Sequence, residues 1–233
     1  MSVWLTIPSA RPDGGTVRLW KQRGYRIALW RDQEDEISER YGSDGLVIVG
    51  SYPGYAKAVN ALVREVLARD AEAEYCIATG DDTEPDQNYP PAEIARQCTE
   101  HFKGTFGVMQ PTGDRWDGGS IDRICGSPWI GREFCRRMYR GTGPYCEEYK
   151  HMFLDEELQN VASLLGVLWQ RPDLAHIHHH FTRVGESVNW AHGRQNMPEF
   201  LREANSPEHW SRYGGLFRSR RTAGFPGHEP LPA

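Results

Sequence analysis

Short apolar runs alternate with amphipathic stretches through the first 87 residues. Residues 3–8 alternate and are rich in β-formers, then break into Pro8-Ser9-Ala10-Arg11-Pro12-Asp13-Gly14-Gly15, a loop signal. Residues 16–23 read as a helix with Val17, Leu19 and Trp20 as its apolar positions, and residues 25–30 as a second strand closed by Arg31-Asp32-Gln33. Residues 46–49 form a third, buried run. Ser51-Tyr52-Pro53-Gly54 then leads into a helix over residues 55–69, and residues 75–79 make a fourth strand. Strands alternating with helices predict βαβ units, hence an α/β fold with a mainly parallel sheet flanked by helices.

The second half is less regular. Residues 88–103 read as a helix with Ile94 and Phe102 inward, residues 106–109 as a strand, and residues 110–119 as a polar loop. A helix is predicted over residues 132–139. A longer one is predicted over residues 154–169, where Leu158, Val161, Leu164, Leu165 and Leu168 recur at helical spacing. Residues 174–181 predict a strand carrying His176, His178, His179 and His180. Beyond Val184 the pattern fades, and a poorly ordered Gly/Pro-rich end is expected from Gly224.

Composition adds bounds. With 233 residues, 39% hydrophobic and 25% charged, the chain suits one soluble domain. No apolar run approaches the roughly 20 residues that span a bilayer, and the first residues lack a signal-peptide pattern, so a cytoplasmic location without a membrane partner is the expectation. Five cysteines without a CxxC pair indicate reduced, structural thiols. The net charge of −5 weighs against a generally basic nucleic-acid-binding surface, though not against a local one.

The most telling chemistry follows the fourth strand. Gly80-Asp81-Asp82-Thr83-Glu84-Pro85-Asp86 brings four carboxylates into six residues. The carboxyl ends of strands in α/β sheets border ligand crevices, and clustered carboxylates there suit a hard divalent cation bridging to phosphate oxygens. The plain alternative is a solvated, Asp-rich turn. The other predicted strand ends, at Ser9/Arg11, Arg31/Asp32 and Ser51, converge on the same edge.

The order of these elements resembles the GT-A nucleotide-sugar glycosyltransferases, over residues 3–181. The resemblance implies a Rossmann-like single domain over residues 1–183, with a nucleotide-sugar half (1–87), an acceptor half (88–183) and a partly irregular C-terminal extension (184–233). Pro8, Ser9 and Arg11 resemble the first nucleotide-holding loop, and Asp32 the acid that contacts base or ribose. Gly54 and Asn60 resemble a Gly-x-x-x-x-x-Asn helix start. Gly80-Asp81-Asp82 resembles the metal motif, with Gly80 standing where many members have the first acid. By this likeness Asp82 binds Mn²⁺ or Mg²⁺, and Asp81 supports the ribose or the metal's waters. His178 or His180 resembles the late histidine that completes the metal shell.

Sugar transfer requires the leaving diphosphate's charge to be offset and, with inversion, a carboxylate to take the acceptor's proton. Asp155, with Glu156 as second choice, resembles that base; a helix-capping role is the competing reading. Gly126-Ser127-Pro128-Trp129-Ile130-Gly131-Arg132 has the look of an acceptor loop, with Trp129 offering a flat face and Trp116 a companion to it, while a core position is the competing reading for either tryptophan. Arg212, Arg218, Arg220 and Arg221, interleaved with Trp210, Tyr213 and Phe217, could contact phosphates or simply be a solvated terminus. The expected function is therefore transfer from a nucleotide diphosphate sugar, UDP-linked in the favoured case. The acceptor would be a hydroxyl, such as a hydroxymethylated pyrimidine in DNA if the chain is virus-encoded, in which case it would work in the host cytoplasm. A glycan acceptor, a sugar nucleotidyltransferase and a non-enzymatic nucleic-acid-binding module are the alternatives. The sequence is silent on oligomeric state.

Overall fold

The computed structural model describes residues 1–115, 120–179 and 199–232. Its elements run β1 (Ser2–Pro8), α1 (Val17–Gln22), β2 (Arg26–Arg31), α2 (Glu36–Gly42), β3 (Leu46–Val49), α3 (Tyr55–Arg69), β4 (Ala73–Ile77), β5 (Thr83–Glu84), α4 (Pro91–Phe102) and β6 (Val108–Pro111). There follow β7 (Trp129–Gly131), α5 (Arg132–Arg137), α6 (Leu154–Leu164), β8 (Leu168–Arg171), β9 (Ile177–His178), α7 (Glu199–Ala204) and α8 (Pro207–Thr222).

Seven strands form one sheet in the order β3-β2-β1-β4-β7-β6-β8. β3, β2, β1 and β4 pair in parallel, β7 runs against both β4 and β6, and β8 is parallel to β6. The expected α/β fold with a mainly parallel, helix-flanked sheet is what the chain adopts. β5 and β9 make a separate two-stranded ladder.

Strand alternation divides the core between the two faces of the sheet. Trp4, Cys76, Ile130 and Val108 pack on one side with Val59, Leu62 and Val63 of α3 and Leu158 of α6. Their neighbours in register, Leu5, Ile77, Trp129 and Met109, pack on the other with Val17 and Trp20 of α1 and Ile94 of α4. All five cysteines are buried and free.

Local chemistry explains several boundaries. Asp35 and Ser38 form a reciprocal capping box that starts α2, an element the hydrophobic pattern does not reveal. The predicted helix over residues 154–169 ends at Leu164, because Gly166 takes φ +67 and the chain turns back into β8. Leu168 therefore lies in a strand, and Leu164 is 65% exposed. The predicted strand at 174–181 is described through residue 179, where it reduces to β9. In the extension where no regular pattern was expected, Ser206 accepts a hydrogen bond from the His209 amide at 3.3 Å and Pro207 occupies the first helical position, together starting the 16-residue α8. Among the described residues no helix is long and apolar enough to cross a membrane.

Candidate functional site

At the carboxyl edge of the sheet the chain leaves β4 and turns through Gly80, Asp81 and Asp82. A Cβ at residue 80 would lie 2.4 Å from Asp82 Oδ1, so any larger residue would have to push that carboxylate aside. The residue standing in place of a first acid thus makes room for the second. The β1–α1 loop closes over the same turn. Gly15, at φ +57, brings its Cα so near the Asp81 carbonyl that a Cβ would come within 2.0 Å of it, and the Thr16 amide donates to that carbonyl at 2.9 Å.

Asp81 is gripped by this loop. Ser9 Oγ donates to its Oδ2 at 2.7 Å and Arg11 Nε to its Oδ1 at 3.0 Å. Burial is the largest influence and pushes the Asp81 carboxyl above its ordinary range despite those donors. The loop is held from beneath by the buried Arg31, which donates to the carbonyls of Ser9 and Arg11 and pairs with Asp35.

Asp82 faces the other way, toward the β5–β9 ladder. Pairing of Thr83 with His178 brings the His178 Nε2 within 3.3 Å of Asp82 Oδ1, and the His179 amide donates to the Asp82 carbonyl at 2.9 Å. Two residues far apart in sequence thus meet through a short backbone ladder. The Asp114 carboxylate accepts from the His178 amide at 2.8 Å, and His179 Nε2 lies 2.7 Å from Glu84 Oε1. Burial works against charge on Asp82, but the hydrogen bond and charge of His178 and the charge of Arg11 more than offset it, holding the carboxyl below its ordinary range. A carboxylate oxygen and an imidazole nitrogen at this spacing, with Asp81 adjacent, fit a divalent cation that takes mixed O/N ligands. Among the described residues no group of three or more His, Cys, Asp or Glu is gathered for a metal. Asp82 and His178 could thus offer a cation two donors.

Asp155 and Asp82 both act electrostatically on the half-buried Tyr55 and His151. Tyr55 donates its hydroxyl to the Thr79 carbonyl at 3.0 Å and meets His151 edge-on at 6.2 Å. Burial lowers the affinity of His151 for a proton. Burial and a hydrogen bond with Asp155 push the Glu156 carboxyl up to about 9, and its Oε2 has no hydrogen-bond partner. Asp155 does not cap α6 through its side chain; the cap position is Phe153, at φ 70.

Other expected site residues have different roles. Asn60 is buried, with Nδ2 donating to the Tyr145 carbonyl at 2.9 Å and Oδ1 accepting from the Tyr145 amide at 3.1 Å; it pins the 145 loop and is not free to meet a nucleotide. Trp129 is fully buried in the sheet core and donates to His176 Nε2 at 3.3 Å, so it is no acceptor platform. His176 is core as well: burial lowers it to about 4, and its Nδ1 lies 2.6 Å from Ser127 Oγ. Gly54, at φ +99, admits the Lys150 backbone, whose carbonyl accepts from the Tyr55 amide at 2.7 Å. Pro8 ends β1 opposite Trp30, and Asp32 is exposed just past β2, where its charge reaches Tyr52. His180 and Trp116 lie outside the described residues. Sequence reading overlooked Tyr55 and His151. The first follows the conspicuous Gly54; the second has no local signal.

No protein-family profile matches the chain, and no curated protein is a match. Among solved structures it is similar to the catalytic domain of Drosophila beta1,4-galactosyltransferase 7 in complex with xylobiose, at 14% identity over 83% of this chain and 79% of that one, with a TM-score of 0.47. It is also similar to a candidate nucleotide-diphospho-sugar transferase from Desulfovibrio desulfuricans, at 12% identity over 97% of this chain and 99% of that one, with a TM-score of 0.38.

Proposed function

We propose that this chain is a glycosyltransferase that moves a sugar from a nucleotide diphosphate sugar, UDP-linked in the favoured case, to an acceptor hydroxyl. The observation that carries the reading is the meeting of Asp82 and His178 at the sheet's carboxyl edge, beside Ser9, Arg11 and Asp81. Asp82 and His178 would hold Mn²⁺ or Mg²⁺, which when bound supplies Lewis-acid stabilisation of the leaving diphosphate. Arg11, half-exposed, adds a fixed positive charge on the same side. Ser9 and Arg11 fix Asp81, which orients the loop against the ribose. Asp155 takes the proton of the attacking hydroxyl at a carboxylate oxygen, while the neutral Glu156 beside it donates a hydrogen bond and keeps the pair from carrying two charges. Tyr55 and His151, both half-buried, lie within the electrostatic reach of the two acids.

The hydroxyl of a hydroxymethylated pyrimidine in DNA is the acceptor this reading favours, with a glycan as its rival. The test is calorimetric titration of UDP with and without Mn²⁺. Wild type should bind in a metal-dependent way, and Asp82→Ala should lose at least tenfold in affinity along with its response to Mn²⁺, without a change in melting temperature beyond about 2–4 °C. Tight, metal-independent UDP binding by that variant would sink the proposal.

A further inference from the structure

Trp129 is buried and Trp116 lies outside the described residues, but the C-terminal helix presents an exposed aromatic ring. In α8 the spacing 210, 214, 218, 221 sets Trp210, Gly214, Arg218 and Arg221 along one face. Trp210 is 47% exposed. Its ring meets Phe153 edge-on, with centroids 5.2 Å apart at 82°. Gly214 allows the close packing: a Cβ there would lie 3.2 Å from Phe153 Cζ and 3.4 Å from Arg218 Nη1. Phe153 is the cap of α6, immediately before the turn that carries Asp155 and Glu156. An exposed indole and a guanidinium therefore both touch, or nearly touch, the entrance to the acid-bearing helix.

The charges on this face are uncommitted. Arg218 and Arg221 are exposed and have no acidic partner among the described residues, whereas Arg69, Arg96 and Arg136 pair with glutamates on their own helices and Arg220 is taken by Glu157. The two guanidiniums sit about 12 and 16 Å of helix rise beyond Trp210. One monosaccharide cannot span that distance. An extended polyanion with stackable rings can.

We infer that this face of α8 binds a nucleic-acid strand, the Trp210 ring stacking on a base and Arg218 and Arg221 taking phosphates, so that the strand is led past Phe153 toward Asp155. The delivery of the strand to Asp155 rests on the glycosyl-transfer reading, while the binding itself does not.

Fluorescence anisotropy of a labelled single-stranded oligodeoxynucleotide, with neither metal nor nucleotide sugar present, tests it over a salt series. Wild type should bind, with quenching of tryptophan fluorescence. Arg218→Gln with Arg221→Gln should bind roughly tenfold or more weakly, and the slope of log K against log salt should fall by about 1.4, or ~0.7 per lost phosphate contact. Trp210→Ala should weaken binding by roughly tenfold and lose most of the quenching. A charge-matched control, Arg69→Gln with Arg96→Gln, should stay within about twofold of wild type once two-charge screening is matched by salt. Equal affinity of wild type and the Arg218/Arg221 double variant would overturn the inference, as would oligonucleotide binding no tighter than that of an uncharged oligosaccharide. Because the assay contains no donor, either result leaves the metal-dependent UDP test standing on its own.

Discussion

Asp82 and Glu157 are both carboxylates held against a basic side chain contributed from far along the sequence. Asp82 meets one imidazole edge at 3.3 Å, and its side chain is still 26% exposed. Glu157 is 1% exposed and accepts four hydrogen bonds, from Tyr139 and Tyr149 hydroxyls at 2.8 Å each and from Arg220 at 2.9 and 2.8 Å. Every lone-pair direction of Glu157 is used, so a ligand could enter only by displacing protein groups. Asp82 keeps acceptor capacity open and part of its side chain exposed. Saturation, rather than acidity or proximity to a base, separates a carboxylate that holds the fold together from one available for binding.

The sharpest way to break this comparison is to disturb the saturated cluster. Arg220→Met leaves Glu157 buried without its counter-charge and should cost about 3–5 kcal/mol in urea unfolding. Metal-dependent UDP binding by the folded protein should persist. A variant that kept its stability but lost the nucleotide would reverse the roles assigned here to the two clusters.

His178→Ala tests the open cluster from its other side. Mn²⁺ affinity, followed by competition with a fluorescent chelator, should drop by about tenfold or more, while the urea midpoint moves little because both partners are part-exposed. A large loss of stability with unchanged metal affinity would make this pair a structural bridge instead.

A third test concerns Glu156 and reads pH dependence, with an effect that vanishes near pH 4. Between its ordinary value of 4.5 and its folded value of about 9, the folded chain keeps a proton that the unfolded chain has released, so this group makes stability fall as pH rises through that window. Glu156→Gln removes the dependence. Its melting temperature should match wild type near pH 4 and exceed it increasingly toward pH 9, by ~2–4 °C for each kcal/mol recovered. A constant offset at all pH values would show that the carboxyl titrates normally.

Much of the first 87 residues was readable because their strands are short apolar runs punctuated by Gly, Pro and Asp, and the pleat leaves one face per residue parity. The 46–49 and 55–69 elements fall where the pattern puts them. Tertiary context decided the rest. Alternation in His176-x-His178 could not reveal that Trp20 and Trp129 enclose the first ring while Asp82 meets the second. The leucines at 164, 165 and 168 continue a helical spacing past the point where Gly166 ends the helix, and the glycine was the better guide. α8 escaped notice because an ion pair with Glu157, not a clean apolar stripe, docks it; Ser206-Pro207 was the signal to heed. The site is legible where a strand end is acidic, as at Asp81 and Asp82, and illegible where burial and neighbours brought in by the fold set the chemistry, as at Glu156 and His151.

The two-rung ladder of Thr83 with His178 and Glu84 with Ile177 has a consequence for how the molecule matures. It joins the turn after β4 to a segment far along the chain, so the residues up to Glu84 cannot by themselves set an imidazole against Asp82. A chain clipped before residue 178 keeps every residue of β1 to β4 yet loses that imidazole. Meeting of the two side chains therefore waits on a contact between distant parts of the sequence, the kind that forms late and slowly.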